Sequence, residues 1–183
     1  MRWLIATIIA GFLNGSAMAE TDQNDYIQRL DSLFGALHAA PDQTAAKLTE
    51  FQIWAIWASN STPDAVTQLA EASAALNIGA GDIAEPKLNA LVLAYPNFAE
   101  GWNRRATLFF MQGRYDESLS DIAKVLALEP RHFGALSGKG MVLSAQGKPA
   151  EAIQAMRQAL AVDPNLLNIK DAVERLEKLN PEL

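Results

Sequence analysis

Residues 96–130 read PNFAEGWNRRATLFFMQGRYDESLSDIAKVLALEP, and residues 130–164 read PRHFGALSGKGMVLSAQGKPAEAIQAMRQALAVDP. Laid one over the other, they keep step. Prolines fall at Pro96, Pro130 and Pro164, and glycines at Gly79, Gly113 and Gly147, each 34 residues apart. Small residues recur at Ala72, Ala106 and Gly140, and again at Ala84, Ser118 and Ala152. Leu88, Ile122 and Met156 hold a bulky apolar column. Five columns in one register mark an internal repeat, and a period of this length marks a stacked array. Each unit carries two helical patterns around a glycine-containing turn. In the clearest unit the spacing predicts a helix from about Phe98 to Gln112, a turn at Gly113-Arg114-Tyr115, and a helix from about Asp116 to Leu128. Asp116 is the expected N-cap and Pro130 the stop. Antiparallel helices approach closely only where both carry small side chains. Ala106 with Ser118, and Gly140 with Ala152, are the expected joints, with Trp102, Phe109, Tyr115 and Ile122 around them.

These columns resemble the tetratricopeptide repeat, whose pattern sets tryptophan, leucine-glycine, tyrosine, alanine, phenylalanine, alanine and proline at fixed offsets. Trp102, Ala106, Phe109, Ser118, Ile122 and Pro130 match one unit by type. Leu136, Gly140, Leu143, Ala152, Met156, Ala159 and Pro164 match the next. An upstream unit keeps Ala72, Gly79, Ala84, Leu88 and Pro96 but has no aromatic residue at its start. The resemblance covers about residues 64–164. It implies an all-α solenoid of antiparallel helix hairpins, about nine helices in the mature chain, and leaves function open, since this repeat serves many partners.

The flanks extend the array. Residues 25–39 and 42–59 are two amphipathic patterns split by Ala40-Pro41, out of register with the repeat. The expected division is a leader at 1–19, a divergent N-terminal hairpin at 20–63, repeats at 64–97, 98–131 and 132–164, and a C-terminal capping segment at 165–183. The capping helix runs from Leu166 to Leu179 with Lys170, Asp171, Glu174, Arg175, Glu177 and Lys178 outward, as the open end of an array requires.

Residues 1–19, MRWLIATIIAGFLNGSAMA, set Arg2 before an uncharged run from Trp3 to Leu13 and close on Ala17-Met18-Ala19. That is the three-part pattern of a secretory signal, with cleavage expected after Ala19. The apolar run is too short to span about 30 Å of hydrocarbon. The expectation is an exported, periplasmic protein whose mature chain does not insert in the membrane.

Composition narrows the chemistry. The 183 residues are half hydrophobic and carry a formal charge of −6, which disfavours a general nucleic-acid binder. With no cysteine, disulfides, thiolate metal sites and cysteine nucleophiles are excluded. His38 and His132 are the two histidines, so a multi-histidine metal site is impossible and no local base–nucleophile pair presents itself. Lys139-Gly140 lies near Gly134 and Gly138 but lacks the P-loop spacing. Asp116, Glu117 and Asp121 read as an acidic first turn facing the helix dipole. Phe51, Trp54 and Trp57 recur every three residues and read as a core stripe against the helix after Pro63. No catalytic, cofactor or metal residues are assigned.

One column departs from the family. Where it has leucine, this chain has Glu71, Arg105 and Lys139, which reads either as solvated positions tolerated by loose packing or as a charge ladder with Glu71 pairing Arg105 between repeats, a choice the sequence leaves open. In such arrays the first helix of each pair lines the concave face. By resemblance, Asn103, Thr107, Phe110, Met111, Ser137, Met141 and Ser144 are the expected partner-binding residues, with Ala145 beside them. Leu69, Ser73, Leu76 and Asn77 are the equivalents in the weaker unit. Some family members bind chaperone C-termini through lysines here, but the two key columns read Leu69, Asn103, Ser137 and Ser73, Thr107, Met141. A mixed apolar and hydroxyl groove suits an extended or helical peptide. The expected function is a non-catalytic scaffold of the cell envelope binding another protein. The alternative is a small enzyme or ligand carrier with a pocket near Trp54 and Trp57.

Overall fold

A computed structural model describes residues 23–182. The expected leader and its cleavage junction lie outside the described residues. Within them every regular element is a helix. These are α1 (23–38), α2 (Gln43–Ser59), α3 (Pro63–Asn77), α4 (Gly81–Ala94), α5 (Ala99–Met111), α6 (Tyr115–Leu128), α7 (Phe133–Ala145), α8 (Pro149–Val162) and α9 (Leu167–Leu179). None of them is long and apolar enough to cross a membrane.

The glycine column has a conformational cause. Gly79, Gly113 and Gly147 have φ of 77°, 74° and 73°, the left-handed region where a Cβ is strained. Each ends a first helix in the same way. The Arg114 N–H donates back to the Phe109 carbonyl at 2.8 Å and the Gly113 N–H to Phe110 at 3.0 Å, and Ala80 with Gly79 and Lys148 with Gly147 repeat the pair. This double closure satisfies carbonyls that a helix end leaves free. It also reverses the chain sharply enough for the second helix to lie against the first.

The joints fall on the small columns. Ala72, Ala84, Ala106, Ser118 and Ala152 are all buried. The Ser118 hydroxyl donates to the Ala106 carbonyl at 2.8 Å, so its one polar atom is satisfied at the contact. Gly140 is tighter: a Cβ there would overlap Met156 Cγ and stand 3.1 Å from the Ala152 carbonyl oxygen. Trp102 ties α5 to the preceding turn by donating its indole N–H to the Pro96 carbonyl at 2.9 Å.

Two local expectations are corrected. Asp116 does not cap α6; the helix begins at Tyr115, Arg114 occupies the cap without a side-chain bond, and Asp116 accepts from Gln146 at 2.8 Å. The Phe51–Trp54–Trp57 stripe is not uniformly core. Trp57 is buried and Trp54 half-buried, but Phe51 is 71% exposed. Three-residue steps advance about 300° around a helix, so the stripe drifts off the buried face within two steps. Nor do the indoles pack on the helix after Pro63. They pack on Phe133 of α7, with ring centroids 5.5 Å away for Trp54 and 5.2 Å for Trp57.

The reason lies in how the N-terminal hairpin docks. α2 touches α3 and α5. Its Trp54 lies over Gly134 of α7. At its start, Gln43 donates to the Asn165 carbonyl ahead of α9 at 3.1 Å. Thus α2 crosses the N-terminal ends of the first helices of all the repeats. Asn165 returns a bond to the Leu37 carbonyl at 2.9 Å, and Arg131 pairs with Asp31 at 2.5 Å. Leu30, Phe34, Leu37, Ala46, Ile53 and Trp57 form one buried cluster with Phe133.

Candidate partner-binding cleft

The first helices of adjacent repeats pack on one another more closely than the second helices do, which curves the stack with α3, α5 and α7 on its inner face. Between α5, α7 and α9 this face opens into a cleft of about 210 Å³. Asn103, Thr107 and Phe110 come from α5, Ser137 and Met141 from α7, and Asn168 and Ile169 from α9. Ile122 and Val142 form part of the wall, and no charged side chain lines it.

The structure therefore brings together Asn103, Thr107, Phe110, Ser137 and Met141. Met111 and Ser144 do not line this cleft. Met111 is exposed at the end of α5, and Ser144 is half-buried near the end of α7, where its carbonyl accepts the Gly147 N–H. In the first repeat Leu69 and Leu76 are buried in its own core, so only Ser73 and Asn77 of that set reach the surface. Sequence reasoning missed Ile122, Asn168 and Ile169. The last two belong to the capping helix, whose outward charges drew attention to its other face.

Polar groups in the cleft differ in what they have left to offer. The Thr107 hydroxyl donates to the Asn103 carbonyl at 3.0 Å, and the Asn103 amide donates to Glu100 Oε2 at 3.1 Å. Ser137 Oγ is buried and has no hydrogen-bond partner within the described protein. Phe110 packs its ring against Tyr115, centroids 6.0 Å apart, and keeps an edge on the cleft.

Behind the cleft stands a buried polar relay that the sequence did not reveal. His132 is 0% exposed and Glu100 is 1% exposed. His132 Nδ1 accepts the Ala135 N–H at 3.1 Å, so the side chain caps α7. The remaining ring proton then sits on Nε2, which donates to Glu100 Oε1 at 2.9 Å. Trp57 stacks on the imidazole at 4.2 Å with an interplanar angle of 12°, and Trp54 meets it edge-on at 5.1 Å. Both carboxyl oxygens of Glu100 are thus bonded, as buried polar atoms require. Neither indole lines the depression of about 500 Å³ that lies beside them between α1 and α2, which is walled by Leu33, Phe51, Gln52, Ala55 and Ile56.

The charged column forms neither a ladder nor a row of solvated side chains. Glu71 pairs with Lys87 at 2.7 Å, and Arg105 grips Asp121 through two bonds of 2.7 and 2.8 Å. Both pairs join residues 16 apart, within one repeat, so Glu71 does not pair with Arg105. Lys139 has Ala155 at the corresponding place. Arg105 also donates to Asn89 at 2.9 Å and lies over the Trp102 ring at 5.0 Å. A planar guanidinium clasped by an aromatic face and a carboxylate substitutes for the family's leucine.

Where the hairpin meets the last repeat, Asp163 is fully buried. Its Oδ1 accepts the Asn165 N–H at 2.9 Å and its Oδ2 has no partner. Burial holds its carboxyl above the usual carboxylate range. Glu50 of α2 is raised for the same reason and by the neighbouring Asp163. Among the described residues no group of three or more His, Asp or Glu is placed to hold a metal ion. A larger depression, about 620 Å³, lies between α8 and α9, but two of its lining side chains, Arg157 and Glu177, pair with each other at 2.6 Å.

Known proteins align with this architecture. The family described as tetratricopeptide repeat matches residues 97–165. A TPR repeat-containing protein of Rhizobium etli is 36% identical over 153 residues, covering 83% of this chain and 75% of that protein. Among solved structures, the first TPR of Spaghetti (RPAP3), bound to the HSP90 peptide SRMEEVD, superposes with a TM-score of 0.62. It is 19% identical and covers 65% of this chain and 94% of that one. The crystal structure of MamA superposes with a TM-score of 0.60 at 17% identity, over 77% of this chain and 80% of that one. These last two likenesses concern the fold. The repeat register, the paired helices and the Rhizobium relative together make this chain a member of the tetratricopeptide-repeat family.

Proposed function

We propose that this chain is a non-catalytic interaction module of the cell envelope, which holds a segment of a partner protein in the cleft between α5, α7 and α9. The observation that carries the reading is the cleft itself. Residues singled out by repeat position converge on one uncharged, partly apolar concavity on the inner face. The peptide held by the structurally similar Spaghetti TPR supports a peptide as the class of ligand. At about 210 Å³ the cleft is smaller than the roughly 300–1,000 Å³ of ordinary small-molecule sites, which favours part of a chain over a whole metabolite. Export rests on Arg2, the Trp3–Leu13 run and Ala17-Met18-Ala19.

The test is affinity capture from envelope extract with wild type and Phe110→Ala side by side, both first shown to be folded by circular dichroism. A protein retained by wild type and depleted at least about tenfold, roughly 1.4 kcal/mol, on the variant supports the assignment. Equal capture by both removes the cleft from the function.

A further inference from the structure

We propose that the outer face of the α1–α2 hairpin pairs with the same face of a second copy of this chain across a two-fold axis. The exposed Phe51 of each copy seats in the depression of the other, between Leu33, Ala55 and Ile56. The surface lies outside the repeats and is independent of the cleft.

The sequence of α2 gives it two apolar faces. At 100° per residue, Ala46, Ile53 and Trp57 share one side, and all three are buried. Thr44, Leu48, Phe51, Gln52, Ala55 and Ser59 share the opposite side, and all six are exposed. Leu48 is 63% exposed and Phe51 71%. The two charges of α2, Lys47 and Glu50, fall outside this stripe, so an uncharged seam runs the length of the helix. The exposed faces of α6 and α8, in contrast, carry Asp116, Glu117 and Lys124, and Glu151 and Arg157. A helix apolar on both sides is one that is covered on both sides.

Shape and charge select a second copy as the cover. Phe51 stands at the rim of the depression of about 500 Å³ between α1 and α2. Knob and hole therefore lie side by side on one patch, the self-complementary arrangement of an isologous interface. The chain carries a formal charge of −6, and identical copies repel wherever their charged faces meet. Here the wall has one charge, Arg29, which faces Asp25 of its own helix at 3.9 Å. A lipid surface fits less well, since an interfacial helix sets several Lys or Arg beside its apolar face and α2 has Lys47 alone. With 17 residues, α2 is about 25 Å long, and two packed helices are about 20 Å across. Such a footprint is at the small end of stable interfaces, which sets the expected Kd in the micromolar range. The pair would carry two clefts and hold a partner with two segments more tightly than one copy can.

Sedimentation velocity on the purified protein, from about 5 to 200 μM, should show the mass rising from one chain toward two. Phe51→Glu sets two carboxylates against each other at the axis and should weaken pairing at least tenfold with helicity and melt unchanged. Leu48→Glu, on the same stripe, supplies the same reading should Phe51→Glu melt early. The chain has no cysteine, so an introduced thiol can link only to its own copy. Gln52→Cys, near the middle of the seam, should oxidise to a covalent dimer, and Leu93→Cys, 84% exposed on α4, should not. A single chain at 200 μM, a dimer indifferent to both glutamates, or equal cross-linking of the two cysteine variants overturns the proposal. Flotation of the same samples with phosphatidylcholine–phosphatidylglycerol vesicles completes the test. A monomer that floats, and no longer floats as Phe51→Glu, gives the face to lipid and overturns the proposal.

Discussion

Gly138 and Gly140 stand two residues apart on α7, and replacing each by alanine should move stability in opposite directions. Alanine is favoured over glycine in a helix interior by about 0.8–1.0 kcal/mol, so both substitutions start with that gain. At Gly138 the new methyl would meet Ile122 Cδ1 at 3.7 Å, ordinary contact distance, and nothing opposes the gain. At Gly140 the methyl would overlap Met156 Cγ, with Met156 Cε at 3.2 Å and the Ala152 carbonyl oxygen at 3.1 Å. Met156 is 2% exposed and has nowhere to swing, and the carbonyl belongs to helical backbone. Overpacking of this kind costs about 1–3 kcal/mol. The net for Gly140→Ala is a loss of up to about 2 kcal/mol, and Gly140→Leu should lose more, since its extra atoms meet the same wall. Urea unfolding reads the difference. With a slope of about 2 kcal/mol per molar, Gly140→Ala lowers the midpoint by up to about 1 M, and Gly138→Ala raises it by about 0.4–0.5 M. Midpoints that move together, or a Gly140→Leu protein as stable as wild type, would refute the placement of the α7–α8 joint.

Phe109→Ala removes a buried ring that Arg114 covers at 4.0 Å and should cost about 3–5 kcal/mol, against a much smaller loss for the half-buried Phe110→Ala; comparable melting temperatures for the two would overturn their facing. Asp163 and Glu50 bind protons more tightly in the folded chain than in the unfolded one, so their contribution to stability is present below about pH 4 and falls as pH rises through their raised folded values. Asp163→Asn keeps an acceptor for the Asn165 N–H and should flatten that fall in urea midpoints measured from pH 4 upward; an unchanged slope refutes it. Intact mass and N-terminal sequencing of envelope-derived protein should begin at Glu20, and an unprocessed cytosolic chain would remove the export reading.

What the sequence disclosed followed from what a repeat repeats. The left-handed turn at Gly113, the joint at Ala106 and Ser118, and the stop at Pro130 recur because each is set by backbone sterics within a unit, and spacing exposes them. The relay of His132 and Glu100 is made once. Its partners are 32 residues apart and its stacking ring comes from a helix outside the register, so no period announces it. The Arg105 clasp was visible as an anomaly, but its partner was misjudged. Column logic looks 34 residues ahead, whereas the neighbouring helix of the same hairpin lies 16 ahead. In the cleft, residues on α5 and α7 could be ranked by repeat position, while Asn168 and Ile169 enter only because α9 continues the stack.

The crossing of α2 sets an order of events for the newborn chain. A plain stack of repeats needs contacts only between neighbours and can grow from any unit. Here Gln43 and Leu37 reach Asn165 over 122 and 128 residues of chain. Contacts so distant in sequence form late, after the local hairpins have closed. Synthesis runs the other way, delivering Trp54 and Trp57 first and their seat at His132 and Phe133 some 75 residues later, at about 5–20 residues per second. For several seconds the chain carries two indoles with no place to rest. That interval is an opening for a chaperone, and the final descent of α2 is the moment at which it closes.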